Sequence, residues 1–151
     1  MQAIGVDLGG TKLQAALFSR SGEILADRTV LLEGRTGKQV AELIVTVCDM
    51  LMEEQEIPPE KEKKIGICVP GIADNHTNRV WAPNIPGWNS FPLKEYITKA
   101  IPNSEAIIAS DRTCYILGET SQGVAKGFSD AIFMSVGTGI GAGIMVLMPQ
   151  F

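Results

Sequence analysis

Asp7-Leu8-Gly9-Gly10-Thr11-Lys12 gathers a carboxylate, two glycines, a hydroxyl and a cation into six consecutive residues. Glycine lets a backbone approach an anion with no Cβ in the way, and successive N–H groups then form an anion-binding concavity. Around such a turn Asp7 offers a carboxylate for magnesium, Thr11 a hydroxyl and Lys12 a positive charge. An isolated Gly-Gly is usually an ordinary hairpin turn, but four such features at one turn favour phosphate. A second glycine-rich stretch, Ser135-Val136-Gly137-Thr138-Gly139-Ile140-Gly141, follows the last apolar run. Neither stretch has the GxxxxGK[ST] spacing that opens a helix, nor a GxGxxG followed by one. Both continue as strands, which leaves a phosphate site between two β-hairpins.

The two stretches are related. Sliding the sequence by 128 residues lays Ala3–Phe18 over Ala131–Val146, so that Ala, Ile and the first turn glycine coincide and the apolar positions largely agree. A duplicated opening hairpin would give a pair of facing turns, a clamp for a polyphosphate.

The elements that must carry these turns follow from periodicity. Short apolar runs at Gln2–Leu8, Leu13–Ser19 and Glu23–Leu32 predict a three-stranded antiparallel meander. From Gly37 the period becomes helical, with Val40, Leu43, Ile44, Val47 and Leu51 on one face and Pro58-Pro59 as the stop. Lys64–Val69 alternates as a strand. Residues 72–91, with both tryptophans, show little periodicity and predict a long ordered loop, in which Trp81 and Trp88 serve as packing anchors and His76 is solvated. Pro92 opens a short helix, Ala106–Ala109 a buried strand and Thr113–Ala125 a helix, before a strand, turn and strand over Ala131–Leu147. The order βββ, α, β, α, β, α, ββ is an α/β layout with a mixed sheet.

A chain of 151 residues with 45% hydrophobic content is long enough for a real core. Its net charge of −4 has neither sign gathered into a block, so nothing calls for nucleic acid or an acidic membrane. Val40–Met52 is interrupted by Glu42 and Asp49 and is too short to span a bilayer. The start, MQAIGVDLGG, lacks the features of a signal peptide, and the expected location is cytoplasmic. Cys48, Cys68 and Cys114 are widely spaced among apolar residues, which predicts buried thiols.

Taken in order, Asp7–Lys12, Val69-Pro70-Gly71, Ala82-Pro83-Asn84-Ile85-Pro86-Gly87-Trp88, Ser110-Asp111 with Leu117-Gly118-Glu119, and Ser135–Gly141 resemble the ROK family (repressors, open reading frames, kinases) of the actin-like ATPase superfamily. The resemblance covers nearly the whole chain. It implies two ribonuclease-H-like lobes with nucleotide and sugar between them, here residues 1–128 as the first lobe and 129–151 as the opening hairpin of the second. It implies ATP and Mg2+, with Asp7 helping to hold the metal, Gly9, Gly10, Thr11 and Lys12 near the transferred phosphate, and Gly137, Thr138 and Gly139 on the other phosphates. It implies a hexose-type sugar contacted by Gly71, Asn84, Ser110 and Asp111, with Asp111 similar to the catalytic base of the sugar kinases. The local sequence Ser110-Asp111-Arg112-Thr113 also suits Asp111 as a helix N-cap, and one aspartate can serve both roles.

Two departures bear on this. The family usually has Asn before the catalytic Asp, where this chain has Ser110, a shorter group without an amide's paired donor and acceptor. Arg112 adds a cation beside the base, positioned to lower its pKa or to pair with phosphate. Members of the family also continue for about as many residues again, with a Glu and a His of the sugar site, a cysteine-rich zinc site and the adenosine pocket. The sequence has no such cysteine cluster and no histidine after His76. The expectation is a fragment, inactive alone, whose strand Gly143–Leu147 lacks support and is rescued by self-association into a homo-oligomer. The leading reading is a sugar kinase acting on a hexose or N-acyl hexosamine. The alternatives are a sugar-sensing transcriptional regulator without its DNA-binding segment and a non-catalytic sugar-binding module.

Overall fold

The computed structural model describes residues 2–136 and 140–146. Two compact units form, Met1–Ala109 and Ser110–Phe151. The lobe boundary implied by the resemblance falls after residue 128, whereas the contacts group the third helix with the last hairpin.

The first unit is built on strands β1 (Ala3–Leu8), β2 (Lys12–Phe18) and β3 (Ile24–Leu31), helix α1 (Gly37–Glu54), strands β4 (Lys63–Val69), β5 (Ile72–Asp74) and β6 (Arg79–Trp81), helix α2 (Leu93–Ala100) and strand β7 (Ser104–Ser110). Five strands form a sheet in the order β3-β2-β1-β4-β7. β1 and β2, and β2 and β3, are antiparallel, and β1 and β4 are parallel with Ala3 opposite Lys64. The sheet is therefore mixed, as expected, with β1 at its centre.

Alternation along the strands makes the core. Ile4, Val6 and Leu8 of β1 and Leu13, Ala15 and Leu17 of β2 are buried, one residue in two as the pleat requires. Helix α1 packs on β2, β3 and α2, burying Val40, Ala41, Ile44, Val47, Cys48 and Leu51. Each fully buried Val, Ile or Leu side chain among these contributes about 1.5–3 kcal/mol. At its start the Thr36 amide donates to Gln39 Oε1 at 3.2 Å. The helix ends at Glu54, before the Pro58-Pro59 stop, because the chain turns left-handed at Glu56 (φ +49°). Lys63 is buried at the start of β4 and donates its Nζ hydrogens to the carbonyls of Pro59 and Pro102, 3.1 Å for the latter.

Cys48 and Cys68 are buried and Cys114 half-buried. Burial pushes the Cys48 thiol up from 9.0 to about 12. A raised folded-state value means that the unfolded chain gives up its proton first. Cys48 therefore contributes a stability that is full below pH 9 and declines as pH rises from 9 towards 12. The expected result is that Cys48→Ala, although less stable at neutral pH, loses less stability than the parent over that window, as read by urea titration at each pH.

The stretch 72–91 differs from the loop expected of it. β5 and β6 pair as a small antiparallel hairpin, Ile72 with Trp81 and Asp74 with Arg79. Its turn is closed by Asp74 Oδ1, which accepts from the amides of His76 (2.8 Å) and Thr77 (3.2 Å). These bonds favour the ionised carboxylate and hold Asp74 below its usual range. His76 is exposed, as expected. Of the two tryptophans only Trp88 is an anchor: it is fully buried and stacked on Phe91 at 5.0 Å, while Trp81 is 46% exposed.

The second unit comprises α3 (Asp111–Ser121) and the antiparallel hairpin β8 (Asp130–Val136) and β9 (Ile140–Val146). α3 begins before the expected Thr113 and ends before Ala125. At the end, the Glu119 carboxylate accepts from the Val124 amide at 3.0 Å and closes off the helix. α3 packs on both strands, with Tyr115 against Phe133 at 5.3 Å. A Cβ on Gly143 would lie 2.3 Å from the Arg112 carbonyl oxygen, so glycine is what lets β9 lie against the first turn of α3. β9 thus has a strand partner and a helix on one side, contrary to the expected bare strand; Leu147 lies outside the described residues. On the other face Ile132, Met134, Val136, Ile140, Ile144 and Val146 are all exposed. Among the described residues no helix is long and apolar enough to cross a membrane.

Candidate functional site

The turn between β1 and β2 is held at both ends. The Gly9 amide donates to the Lys12 carbonyl at 2.8 Å, and the Thr11 carbonyl accepts from Leu32 at 2.8 Å. Neither Gly9 nor Gly10 has positive φ, so left-handed backbone is not the reason for glycine here. Proximity is the better reason: a Cβ on Gly9 would lie 3.2 Å from the Lys12 carbonyl oxygen, and one on Gly10 would touch the Asn84 Cβ at 3.4 Å. The amides of Gly10 and Thr11 have no partner among the described residues. They are the donors an anion would use.

Asp7 is the exposed residue of β1, between the buried Val6 and Leu8. Lys12 and Thr11 are exposed on the same hairpin. No hydrogen bond or ion pair engages the side chains of Asp7, Thr11 or Lys12 among the described residues. No group of three or more His, Cys, Asp or Glu that could enclose a metal occurs among them either. Magnesium is commonly held by one or two carboxylates, with water and phosphate oxygens completing its shell, and a single unengaged Asp7 beside open amides fits that pattern.

Gly71 and Asn84 owe their positions to the segment 82–88. A Cβ on Gly71 would lie 2.1 Å from the Trp81 carbonyl oxygen and 2.8 Å from the Ala82 Cα; glycine lets this backbone pass directly over the end of β4. The Ala82 amide donates to the Trp88 carbonyl at 2.8 Å, closing the segment. It is tied to α1 by the Gly37 amide, which donates to the Pro86 carbonyl at 2.7 Å, and by Trp88 Nε1, which donates to the Gly37 carbonyl at 2.8 Å. Asn84 is exposed beside Gly10. Between them opens a cleft of about 240 Å³, whose walls also include Glu33, Arg35, Thr36, Ile85 and Pro86. Periodicity gave no sign of this cleft, because the residues of 32–36 belong to a connection and their side chains acquire a common face only through the fold.

In the second unit Ser110, not Asp111, is the N-cap of α3. Its Oγ accepts from the Thr113 amide at 3.4 Å and lies 2.9 Å from Thr113 Oγ1. The capping reading of Asp111 is thereby corrected: a serine hydroxyl in extended backbone reaches the third amide of the helix, which leaves Asp111 as the first helical residue. One Asp111 oxygen accepts from the Arg112 amide at 2.8 Å, and Arg112 Nε stands 3.9 Å away. Asp111 is half-buried. Gly137, Thr138 and Gly139 lie outside the described residues.

Residues 3–147 match the ROK family. The chain belongs to the ROK family. A glucokinase of Thermotoga maritima is 31% identical over 148 residues, covering 96% of this chain and 44% of that protein. A xylose repressor of Bacillus spizizenii is 28% identical over 144 residues, covering 95% of this chain and 37% of the repressor. The crystal structure of a ROK glucokinase from Streptomyces griseus in complex with glucose and AMPPNP superposes with a TM-score of 0.80 at 28% identity, covering 97% of this chain and 45% of that one. The chain thus spans less than half the length of these ROK relatives, and it has the α/β, actin-like ATPase fold of ROK sugar kinases with a mixed sheet.

Proposed function

We propose that this chain is part of an ATP-dependent sugar kinase that transfers a phosphoryl group to a hydroxyl of a hexose or N-acyl hexosamine in the cytoplasm. The observation that carries this reading is the pinned β1–β2 turn, on which an unengaged carboxylate, Asp7, accompanies the open amides of Gly10 and Thr11. In this reading the Gly9–Lys12 turn receives the transferred phosphoryl group, and Lys12 adds its charge. Asp7 would hold magnesium, which when bound offsets charge on the phosphoryl oxygens. Asp111 accepts the proton of the attacking sugar hydroxyl. Gly71, Asn84 and Ser110 orient the sugar, and Gly137, Thr138 and Gly139 take the remaining phosphates. Residues 1–128 and 129–151 belong to the two lobes, and a homo-oligomer is part of the same reading.

The test is ADP release by the protein that carries this chain, with glucose, mannose, N-acetylglucosamine or no sugar. Sugar-dependent ADP release is the expected result. The similarity to a xylose repressor favours one other reading, a sugar-sensing regulator. Sugar binding with no ATP turnover would replace the first reading with the second.

A further inference from the structure

The connection from β3 to α1, residues 32–36, has no role in the scheme above, yet it forms one wall of the cleft that Gly10, Thr11 and Asn84 share. It is held in an unusual shape. Glu33 (φ +49°) and Gly34 (φ +74°) are both left-handed, a conformation that residues with a side chain generally avoid. Leu32 fixes the connection to the turn through its bond to the Thr11 carbonyl, and the Arg35 amide donates back to the Leu32 carbonyl at 2.9 Å. Arg35 Nη1 donates to the Leu32 carbonyl at 3.2 Å and to Glu33 Oε2 at 3.1 Å. The bonds of the Arg35 guanidinium all run through Nη1 among the described residues. Its remaining N–H groups have no protein partner among the described residues and are able to donate to a ligand.

A guanidinium only donates, so the ligand atom facing it is an oxygen acceptor, either anionic or neutral, as a carbonyl or a hydroxyl is. Glu33 decides between them. Its carboxylate already pairs with Arg35, and an incoming anion would meet that negative charge at the same place. A carbonyl meets no such opposition. Pro86, exposed on the same cleft, provides apolar surface for an alkyl group. An acyl amide has both parts.

We propose that Arg35 is a specificity-determining residue, reading the N-acyl carbonyl of an N-acylated hexosamine in the cleft it shares with Asn84. The inference rests on the sugar-kinase reading and names the substrate class within it. The test is equilibrium binding of glucose, N-acetylglucosamine and glucuronate to the protein that carries this chain, followed by ligand-observed NMR. The parent protein is expected to prefer N-acetylglucosamine to glucose by about tenfold, the effect of one charge-assisted hydrogen bond. Arg35→Gln is expected to erase that preference while leaving glucose binding within about twofold. Because Arg35 also supports backbone carbonyls, Glu33→Gln gives a second arm: with the exposed carboxylate neutralised, glucuronate binding is expected to rise by about tenfold. Equal binding of the two neutral sugars by the parent, or equal loss of both in a folded Arg35→Gln protein, overturns the inference while leaving the sugar reading intact. Binding of no sugar at all overturns both.

Discussion

Asp111→Asn, in the protein that carries this chain, is expected to lower the rate of sugar phosphorylation by about 10²–10⁴-fold, the usual contribution of a positioned general base. Asparagine keeps the shape of aspartate but cannot take the proton of the attacking hydroxyl. The fold should lose little, because the first turn of α3 is capped by Ser110 and not by Asp111. What the helix forfeits is one negative charge at its start, about 0.3–1 kcal/mol. The measurement pairs a coupled ADP assay with a thermal melt of the same preparation. A large loss of kcat with an unmoved melting curve assigns Asp111 to chemistry. Unchanged turnover removes it as the base, and a parallel collapse of both would show that it serves the fold.

Trp88→Ala is expected to destabilise the chain by about 3–5 kcal/mol, as for other large aromatic side chains emptied from a core. Trp88 fills space against Phe91 and also donates to the Gly37 carbonyl. Its removal therefore opens a cavity and loosens the tie between segment 82–88 and α1. Gly87 adds to the tightness of that junction: a Cβ there would lie 3.0 Å from the Gly37 Cα. Trp81→Ala, at a site 46% exposed, should change stability by less than about 1 kcal/mol. Urea unfolding of the two variants decides the matter, and similar losses in both would refute the anchoring role given to Trp88. Asn84 lies on the same segment, so the Trp88 variant should also weaken sugar binding, with no contact to the sugar required of Trp88 itself.

The strands and long helix were legible because their patterns are long. Six to eight residues of alternation along β1, β2 and β3 suffice to show period two, and α1 repeats its apolar face through five turns. The β5–β6 hairpin was not legible, since strands of three residues are too short to show any period. Asp7–Lys12 announced itself as a turn by composition alone, and the structure supplies what composition could not: a neighbouring Asn84 and a pinning bond from Leu32. The choice between Ser110 and Asp111 as cap was undecidable from adjacent residues that both favour the position. It depends on which of them stays in extended backbone, and Ser110 does, at φ −67° and ψ 153°. Arg35 was invisible as a site residue because nothing in a sequence tells where a connection will lay its side chains.

The parallel pairing of β1 with β4 has a consequence for the growing polypeptide. Lys64, which lies opposite Ala3, is 61 residues further along the chain. The β1–β2–β3 meander closes through neighbouring hairpins and can form as soon as its residues leave the ribosome, within microseconds of doing so. β1 then waits with one edge open until α1 and β4 have been synthesised, and an unpaired apolar strand edge is an invitation to strangers. At ribosomal speeds of about 5–20 residues per second, that interval lasts some seconds. The glycine turn is thus shaped early, on a strand that has yet to acquire its second neighbour.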